Sequence, residues 1–175
     1  VIDDCQIVIA GGSTAAFAAA IASAKLGVHT CLLEPTDWVG GQLTASAVPA
    51  IDFEWRNLKD AQTGKQYNIA QIDKMQENIT PNFYKILKDV GNTGNCWVSV
   101  YCFLPRDMLS KGLSKLQDEV SSHLSVFTNT VLKRVKKNGD SITAFDAVQR
   151  FPKSGKQPNA DCSGYEKMLS EALPD

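Results

Sequence analysis

The beginning of the chain orders its segments in a way that few folds accommodate. Cys5 to Ala10 is an apolar strand, Gly11 to Ala16 is a turn of small residues, and Phe17 to Leu26 follows with a helical pattern. A second apolar strand, His29 to Leu33, ends on Glu34. Strand, glycine-rich turn, helix, strand and acid in this order predict the βαβ unit that binds a dinucleotide at a helix N-terminus.

The turn meets the steric requirements of a pyrophosphate site. Backbone N–H groups in the first helical turn lack intrahelical partners and point at an anion, so the nearby side chains must be small. Of the three positions in the fingerprint G-x-G-x-x-G, the chain keeps Gly11 and has Ser13 and Ala16 at the others. The Ser13 hydroxyl can itself bond phosphate, and alanine is an accepted variant at the third position. We therefore expect the phosphates to lie on the backbone of Gly11, Gly12, Ser13, Thr14, Ala15 and Ala16.

Glu34 lies 23 residues after Gly11, near the distance expected for the acid that holds a ribose hydroxyl. No Arg or Lys stands beside it in the sequence, which argues against a 2′-phosphate and hence against NADP. Two glycines alone would fit a strand-to-helix turn in another α/β protein equally well. The position of Glu34 at the expected distance from Gly11 favours the dinucleotide interpretation.

Two blocks of this region resemble the FAD-dependent oxidoreductase family with a glutathione-reductase-like FAD domain. The first runs from Val8 to Ala20, and the second, more specific block runs from Leu32 to Thr44 and contains Gly40-Gly41-Gln42-Leu43-Thr44. Later pieces are also similar: Cys96 to Ser99, Cys102 to Pro105, and Gly164 to Asp175. The resemblance implies an α/β fold with a Rossmann-like FAD-binding domain, and FAD as the cofactor. Ser13 and Ala16 depart from the family's phosphate loop.

The resemblance also implies cofactor contacts beyond the phosphate loop. Gly40 and Gly41 remove side chains where a ligand passes and permit positive φ, and Gln42 to Ser46 is expected to run along the isoalloxazine. Val131 is expected to offer its backbone to the adenine. The expected contacts outside the phosphate loop are Glu34, Pro35, Gly40, Gly41, Gln42, Thr44, Ser46 and Val131.

The family is longer than these 175 residues, and its FAD domain is completed by a later strand and a second flavin contact. The chain starts at Val1 without Met and stops at Asp175, inside a family-like segment. We therefore expect an N-terminal portion of a larger oxidoreductase, with the remainder supplied by a second chain or segment. The missing Met is compatible with a cleaved signal peptide and export.

Composition restricts the function classes. The chain is 43% hydrophobic with a net charge of −1, so it has no basic excess for nucleic acid. Its longest apolar stretch, Phe17 to Ala24, is too short to span a bilayer. Five cysteines and two histidines fit no zinc pattern, and we expect no metal site. Cys5 and Cys31 are expected to be inert core residues, and packing is favoured over a redox pair for Cys96 and Cys102.

Periodicity and turn residues predict the other elements. Three predicted helices are Asn68 to Glu77, Pro81 to Val90 with Thr80 as N-cap and Gly91 as stop, and one opening at Pro105. The buried face of the last comprises Met108, Leu109, Leu113, Leu116 and Val120. Predicted strands are Trp97 to Phe103, Leu124 to Thr128, and a hairpin of Thr130 to Lys137 and Ile142 to Gln149 about Asn138-Gly139.

These elements suggest four regions: 1–50 as the FAD-binding βαβ unit, 51–104 as a helical insertion or cap, 105–150 as the continuation of the FAD domain, and 151–175 as a loop to the remainder. The favoured function is hydride transfer between a small organic substrate and FAD. The alternatives are an NAD-binding dehydrogenase and a non-catalytic nucleotide-binding subunit; NAD domains lack a second glycine loop so soon after the acid. No catalytic residue is identified, although Asp37, Asp52, Glu54 and Arg56 are candidates for proton transfer or substrate anchoring.

Overall fold

A three-stranded parallel sheet organises the N-terminal region. The computed structural model describes residues 5–51, 63, 79–96, 99 and 101–151. Within them, β1 (Ile7–Ala10), β2 (Thr30–Leu33) and β3 (Leu124–Phe127) lie in the order β1-β2-β3. Helix α1 (Thr14–Lys25) connects the first two strands, which confirms the predicted α/β class and the βαβ unit.

The two parallel strands of the βαβ unit differ in burial. All of β2 is buried between its neighbours, whereas β1 lies at the edge of the described sheet and is partly exposed. Helix α1 begins three residues earlier than predicted because Ser13 caps it. The helix turns one apolar stripe toward the core, since its buried residues repeat at helical spacing: Phe17, Ala20, Ile21 and Ala24.

Two further helices cover the same core. Helix α2 (Pro81–Val90) has the predicted cap at Thr80 and the predicted stop at Gly91. Helix α3 comprises Pro105–Asp107, a π-helical segment Met108–Leu113, and Ser114–Glu119. At Gly112 a Cβ would lie 2.8 Å from Ile86 Cγ2, so the glycine allows α3 to approach α2 closely. The predicted face of α3 lies against the core, with Met108, Leu113, Leu116 and Val120 buried and Leu109 partly buried. The π segment was not predicted.

A β-hairpin follows β3 and begins at the carboxyl edge of the sheet. Strands β4 (Thr130–Asn138) and β5 (Ser141–Gln149) pair antiparallel, with Thr130 opposite Gln149 and Val131 opposite Val148. Gly139 takes a φ of 59° in the connecting turn, as the Asn-Gly signal predicts. The far half of the ribbon is exposed, and its base lies beside the end of β2.

The prediction for the cysteines was wrong. Cys5 and Cys31 form a disulfide with a Cα–Cα distance of 5.6 Å, and Cys96 and Cys102 form a second at 5.8 Å. The first pair meets because Cys5 precedes β1 and Cys31 lies in the parallel neighbour β2, a proximity that linear spacing does not reveal. Both bonds imply folding under oxidising conditions.

Some predictions fall outside the described residues: the helix Asn68 to Glu77 and the segment from Gly164 onward. The predicted strand Trp97 to Phe103 lies partly there, and its described portion forms an isolated bridge between Ala50 and Cys102 instead of a strand. The proposed boundaries of the four regions stay predictions. Among the described helices, none is long and apolar enough to cross a membrane.

Removing the Cys5–Cys31 disulfide is expected to destabilise the protein more than removing Cys96–Cys102. The first closes a separation of 26 residues and the second only 6, so the first restricts the unfolded chain more. We expect Cys5→Ala/Cys31→Ala to lower the free energy of unfolding by roughly 3 kcal/mol. Denaturant titration of both double variants checks this, and a larger loss for Cys96→Ala/Cys102→Ala would contradict it.

Candidate functional site

Two glycine loops meet at the carboxyl edge of the sheet. The first follows β1 and the second follows β2. Gly40 donates its N–H to the Gly12 carbonyl at 2.7 Å, and the Thr14 hydroxyl donates to the Gly40 carbonyl at 2.8 Å. A Cβ on Gly41 would lie 2.9 Å from Ser13 Cα. The structure therefore brings the two predicted loops into direct backbone contact.

Helix α1 begins directly after the first loop. The first intrahelical bond runs from Phe17 N to Ser13 O at 2.8 Å, so the N–H groups of Thr14 and Ala15 precede the helical ladder. The Ser13 hydroxyl accepts from Ala16 N at 3.2 Å and thus caps the helix. Its bond to phosphate stays a prediction, since the capping bond leaves the hydroxyl proton available to a ligand. Gly11 has a φ of 105°, and a Cβ there would meet nothing within 4 Å. We call the helix start and this open space the cradle, since unpaired N–H groups at a helix start are a geometry that can accept an anion.

Glu34 extends from the end of β2 to the first loop. Its side chain is 4% exposed, and its Oε1 accepts from Thr36 N at 2.6 Å and from the Thr36 hydroxyl at 2.7 Å. A Cβ on Gly12 would overlap Glu34 Oε2 and lie 2.9 Å from its Cδ. The predicted acid and the predicted phosphate loop are therefore adjacent, and Gly12 leaves the space that the carboxylate occupies.

Burial raises the pKa of the Glu34 carboxyl above its usual 4.5. Hydrogen bonds from the Thr36 hydroxyl, from Thr36 N–H and from the Gly12 backbone oppose this rise, and the negative charge of Asp37 adds to it. The folded protein therefore binds the Glu34 proton more tightly than the unfolded chain does.

A pH dependence of stability follows from the raised pKa. Between pH 4.5 and the raised value, the unfolded chain has released the proton that the folded protein retains, so the Glu34 contribution to stability falls as the pH rises. Glu34→Gln abolishes this titration. We expect the free energy of unfolding of the cofactor-free variant to increase relative to wild type as the pH rises through this window. Denaturant unfolding at a series of pH values measures the difference, and a pH-independent difference would contradict the assignment.

The backbone behind Glu34 is held by the base of the hairpin. The Glu34 carbonyl accepts from Thr130 N at 2.8 Å, and the Thr36 carbonyl accepts from Asn129 N at 2.7 Å. The Pro35 carbonyl accepts from Arg150 Nη2 at 2.7 Å. A cation therefore reaches the acid loop, Glu34 to Thr36, from beyond β5, although no Arg or Lys stands beside Glu34 in the sequence.

The hairpin also brings Val131 close to the acid, because its neighbour Thr130 bonds directly to the Glu34 carbonyl. The adenine contact of Val131 stays a prediction.

The remaining predicted contacts follow the second glycine loop, which contains the short 3-10 turn Gly41–Leu43. Gln42 and Ser46 are exposed, and Ser46 N donates to the Gly41 carbonyl at 3.0 Å. Thr44 is 1% exposed, and its hydroxyl donates to the Val39 carbonyl. The Thr44 side chain therefore fixes the shape of the loop from within. Among the proposed catalytic candidates, only Asp37 lies in the described residues.

Sequence reasoning missed two residues of this site. Thr36 stands two positions after the acid, a spacing at which a hydroxyl commonly bonds to a neighbouring group in a turn, so a local signal was present. Arg150 carries no local signal, because it reaches Pro35 only when the hairpin closes.

A family model described as FAD dependent oxidoreductase matches residues 6–162. No curated protein matches the chain. Among solved structures, the L-amino acid deaminase from Proteus myxofaciens in complex with anthranilate is similar, with a TM-score of 0.41 and 11% sequence identity. The match covers 84% of this chain and 43% of the deaminase chain, so the chain spans less than half the length of that protein.

Proposed function

We propose, since the chain belongs to the FAD dependent oxidoreductase family, that its two glycine loops and Glu34 hold FAD. The pyrophosphate would lie on the backbone of Gly11 to Ala16 and the adenosine ribose on Glu34. The observation that carries this proposal is the packing of the Glu34 carboxylate against Gly12, which puts an acceptor for ribose hydroxyls beside an anion cradle. FAD, when bound, supplies the electron-accepting chemistry of the enzyme.

Each part of the phosphate cradle has a separate role in the proposal. The N–H groups of Thr14 and Ala15 bind phosphate oxygens, because helix geometry gives them no intrahelical acceptor. Gly11 leaves room for close approach of the phosphate. Gly40 braces the cradle from the side through its bonds with Gly12 and Thr14, and Gly41 packs closely against Ser13. The partial positive charge at the helix start adds attraction for the anion.

Glu34 acts as an acceptor on the sugar. Its carboxylate takes hydrogen bonds from ribose hydroxyls, while the two bonds from Thr36 fix its orientation. A charge-assisted bond of this kind is worth about 1.5–3 kcal/mol.

The flavin and adenine ends are assigned to neighbouring segments. Gln42 to Ser46 runs toward the isoalloxazine, and the Val131 backbone binds the adenine. A backbone contact is insensitive to side-chain size, so Val131→Ile is expected to leave the FAD dissociation constant within about twofold of wild type. Fluorescence titration measures it. A structure of the complex with the adenine out of hydrogen-bonding range of residues 129–133 would contradict the assignment.

We further propose that the whole protein oxidises a small organic substrate by hydride transfer to FAD. The substrate side and the rest of the flavin site would be supplied by the remainder of the oxidoreductase, in the same chain or as a second one. The edge position of β1 within the described sheet supports this, because Ile7 is 38% exposed and strand edges accept a further strand.

Titration of the full-length, cofactor-free protein with three ligands tests the proposed function. FAD and ADP share the adenosine ribose and the pyrophosphate, so both are expected to bind the same site and to compete. NAD is expected to bind more weakly than FAD. Preferential binding of NAD, or ADP that fails to displace FAD, would overturn the assignment.

A further inference from the structure

Three consecutive carbonyls of the acid loop are hydrogen-bonded, and the middle one differs from the others. The carbonyls of Glu34 and Thr36 accept from backbone N–H groups at the base of the hairpin. The Pro35 carbonyl accepts from a side chain, Arg150 Nη2, at 2.7 Å across 115 residues of sequence. A charged donor is thus bonded to the Pro35–Thr36 peptide unit, whose N–H belongs to Thr36.

The Arg150 side chain is anchored before it reaches Pro35. Arg150 immediately follows β5, and its own N–H donates to the Asn129 carbonyl at 2.8 Å. Its Nε atom is buried. Gln149 donates to the Thr128 carbonyl at 3.2 Å, so both residues at the end of the hairpin are tied to the turn before β4. The guanidinium therefore approaches the acid loop from a fixed base.

The geometry of a peptide unit carries the effect of Arg150 to Glu34. In a trans peptide the C=O and N–H groups point in opposite directions within one plane. The Pro35 carbonyl points at Arg150, and the N–H of the same peptide belongs to Thr36 and donates to Glu34 Oε1 at 2.6 Å. Guanidinium, peptide and carboxylate form one chain of hydrogen bonds, and bonds in such chains polarise one another.

We propose that Arg150 is a positioning residue for the adenosine ribose site, acting on the Glu34 carboxylate through the Pro35–Thr36 peptide. Arg150 fixes the plane of that peptide, and the peptide aims the Thr36 N–H at Glu34. The carboxylate is then oriented before the sugar binds, which lowers the entropy cost of binding. This inference rests on the proposed function, because it assigns a role in the same ribose site.

Arg150→Met in the full-length protein tests the proposal, with Arg134→Met as the matched control. Arg134 lies exposed on β4, so the control removes the same charge from the same hairpin. We expect Arg150→Met to weaken binding of FAD and of ADP by the same factor, about tenfold. Arg150→Lys is expected to recover part of the loss, since an ammonium can donate one bond to Pro35. The control is expected to bind both ligands as wild type does.

The Glu34→Ala background separates positioning from general stabilisation. If Arg150 acts through the carboxylate, Arg150→Met should have almost no further effect on ADP affinity once Glu34 is removed. An equal loss in both backgrounds would overturn the proposal, as would an Arg150→Met protein that binds like the control.

Arg150→Gln replaces the methionine variant if the latter does not fold, because a shorter, uncharged side chain is expected to lose the bond to Pro35. An Arg150→Gln protein with wild-type ADP affinity would overturn the proposal. Failure of the wild-type protein to bind FAD would instead overturn the proposed function, and this inference with it.

Discussion

Gly41→Val is expected to abolish flavin binding while the hydrophobic core remains folded. Gly41 has a φ of 54°, and its Cβ would lie 2.9 Å from Ser13 Cα and 3.3 Å from Thr14 N. A side chain there must displace the backbone that we assign to the phosphates. We expect FAD affinity to fall by at least about 100-fold, or roughly 2.7 kcal/mol. Flavin content of the purified variant and FAD titration measure the loss.

Gly139→Val is the matched control for this experiment. Gly139 has a φ of 59°, close to that of Gly41, but a Cβ there would meet nothing within 4 Å. The two variants therefore share the backbone strain and differ in the clash with the phosphate loop. Gly139→Val is expected to retain flavin. A Gly41→Val protein with full flavin occupancy would contradict the assignment of the loop.

Gly12→Ala and Glu34→Ala are each expected to weaken FAD binding, and their effects are not expected to add. Glu34→Ala removes the acceptor for the ribose hydroxyls, a loss of about 1.5–3 kcal/mol. Gly12→Ala puts a methyl group where the Glu34 carboxylate lies, so the carboxylate must leave its position. Once Glu34 is alanine, the overlap with the carboxylate no longer exists, and only the Cβ of residue 34, at 3.1 Å, stays close to the new methyl group. The double variant should therefore bind FAD about as well as Glu34→Ala alone.

Fluorescence titration of the wild type, both single variants and the double variant completes this cycle. Additive losses would mean that Gly12 and Glu34 contribute independently, contrary to the packing between them. Circular dichroism of the cofactor-free proteins checks that each variant is folded.

The parts of the fold that could be predicted depend on local rules. Pro81 and Gly91 bound α2 as expected, because a helix start and stop are set by residues within one turn. Asn138-Gly139 predicted the hairpin for the same reason. The βαβ unit was also predictable, since its strands, turn and helix are consecutive in the sequence.

The missed features depend on contacts between distant segments. The Cys5–Cys31 bond requires the parallel pairing of two strands, and the Arg150–Pro35 bond requires closure of the hairpin onto the acid loop. The π-helical segment of α3 was missed because its apolar spacing fits an ordinary helix. In that segment Leu113 packs so close to Gly40 that a Cβ on the glycine would overlap its Cδ1.

The residues of the candidate site could be predicted from the sequence, whereas the hydrogen-bond partners of their side chains could be predicted only in part. The glycines and the acid follow from spacing, because a phosphate needs small residues at a helix start. The use of the Ser13 hydroxyl as an N-cap and the inward turn of Thr44 do not follow from spacing. Each hydroxyl had several possible partners in the sequence, and the fold selects one.

The structure of the full-length protein crystallised with FAD tests the central claim most directly. The decisive quantities are the distances from the pyrophosphate oxygens to Thr14 N and Ala15 N, and from the ribose hydroxyls to the Glu34 carboxylate. We predict that all of these pairs lie within hydrogen-bonding range, about 2.6–3.2 Å. A pyrophosphate bound away from the start of α1, or a ribose beyond the reach of Glu34, would contradict the account.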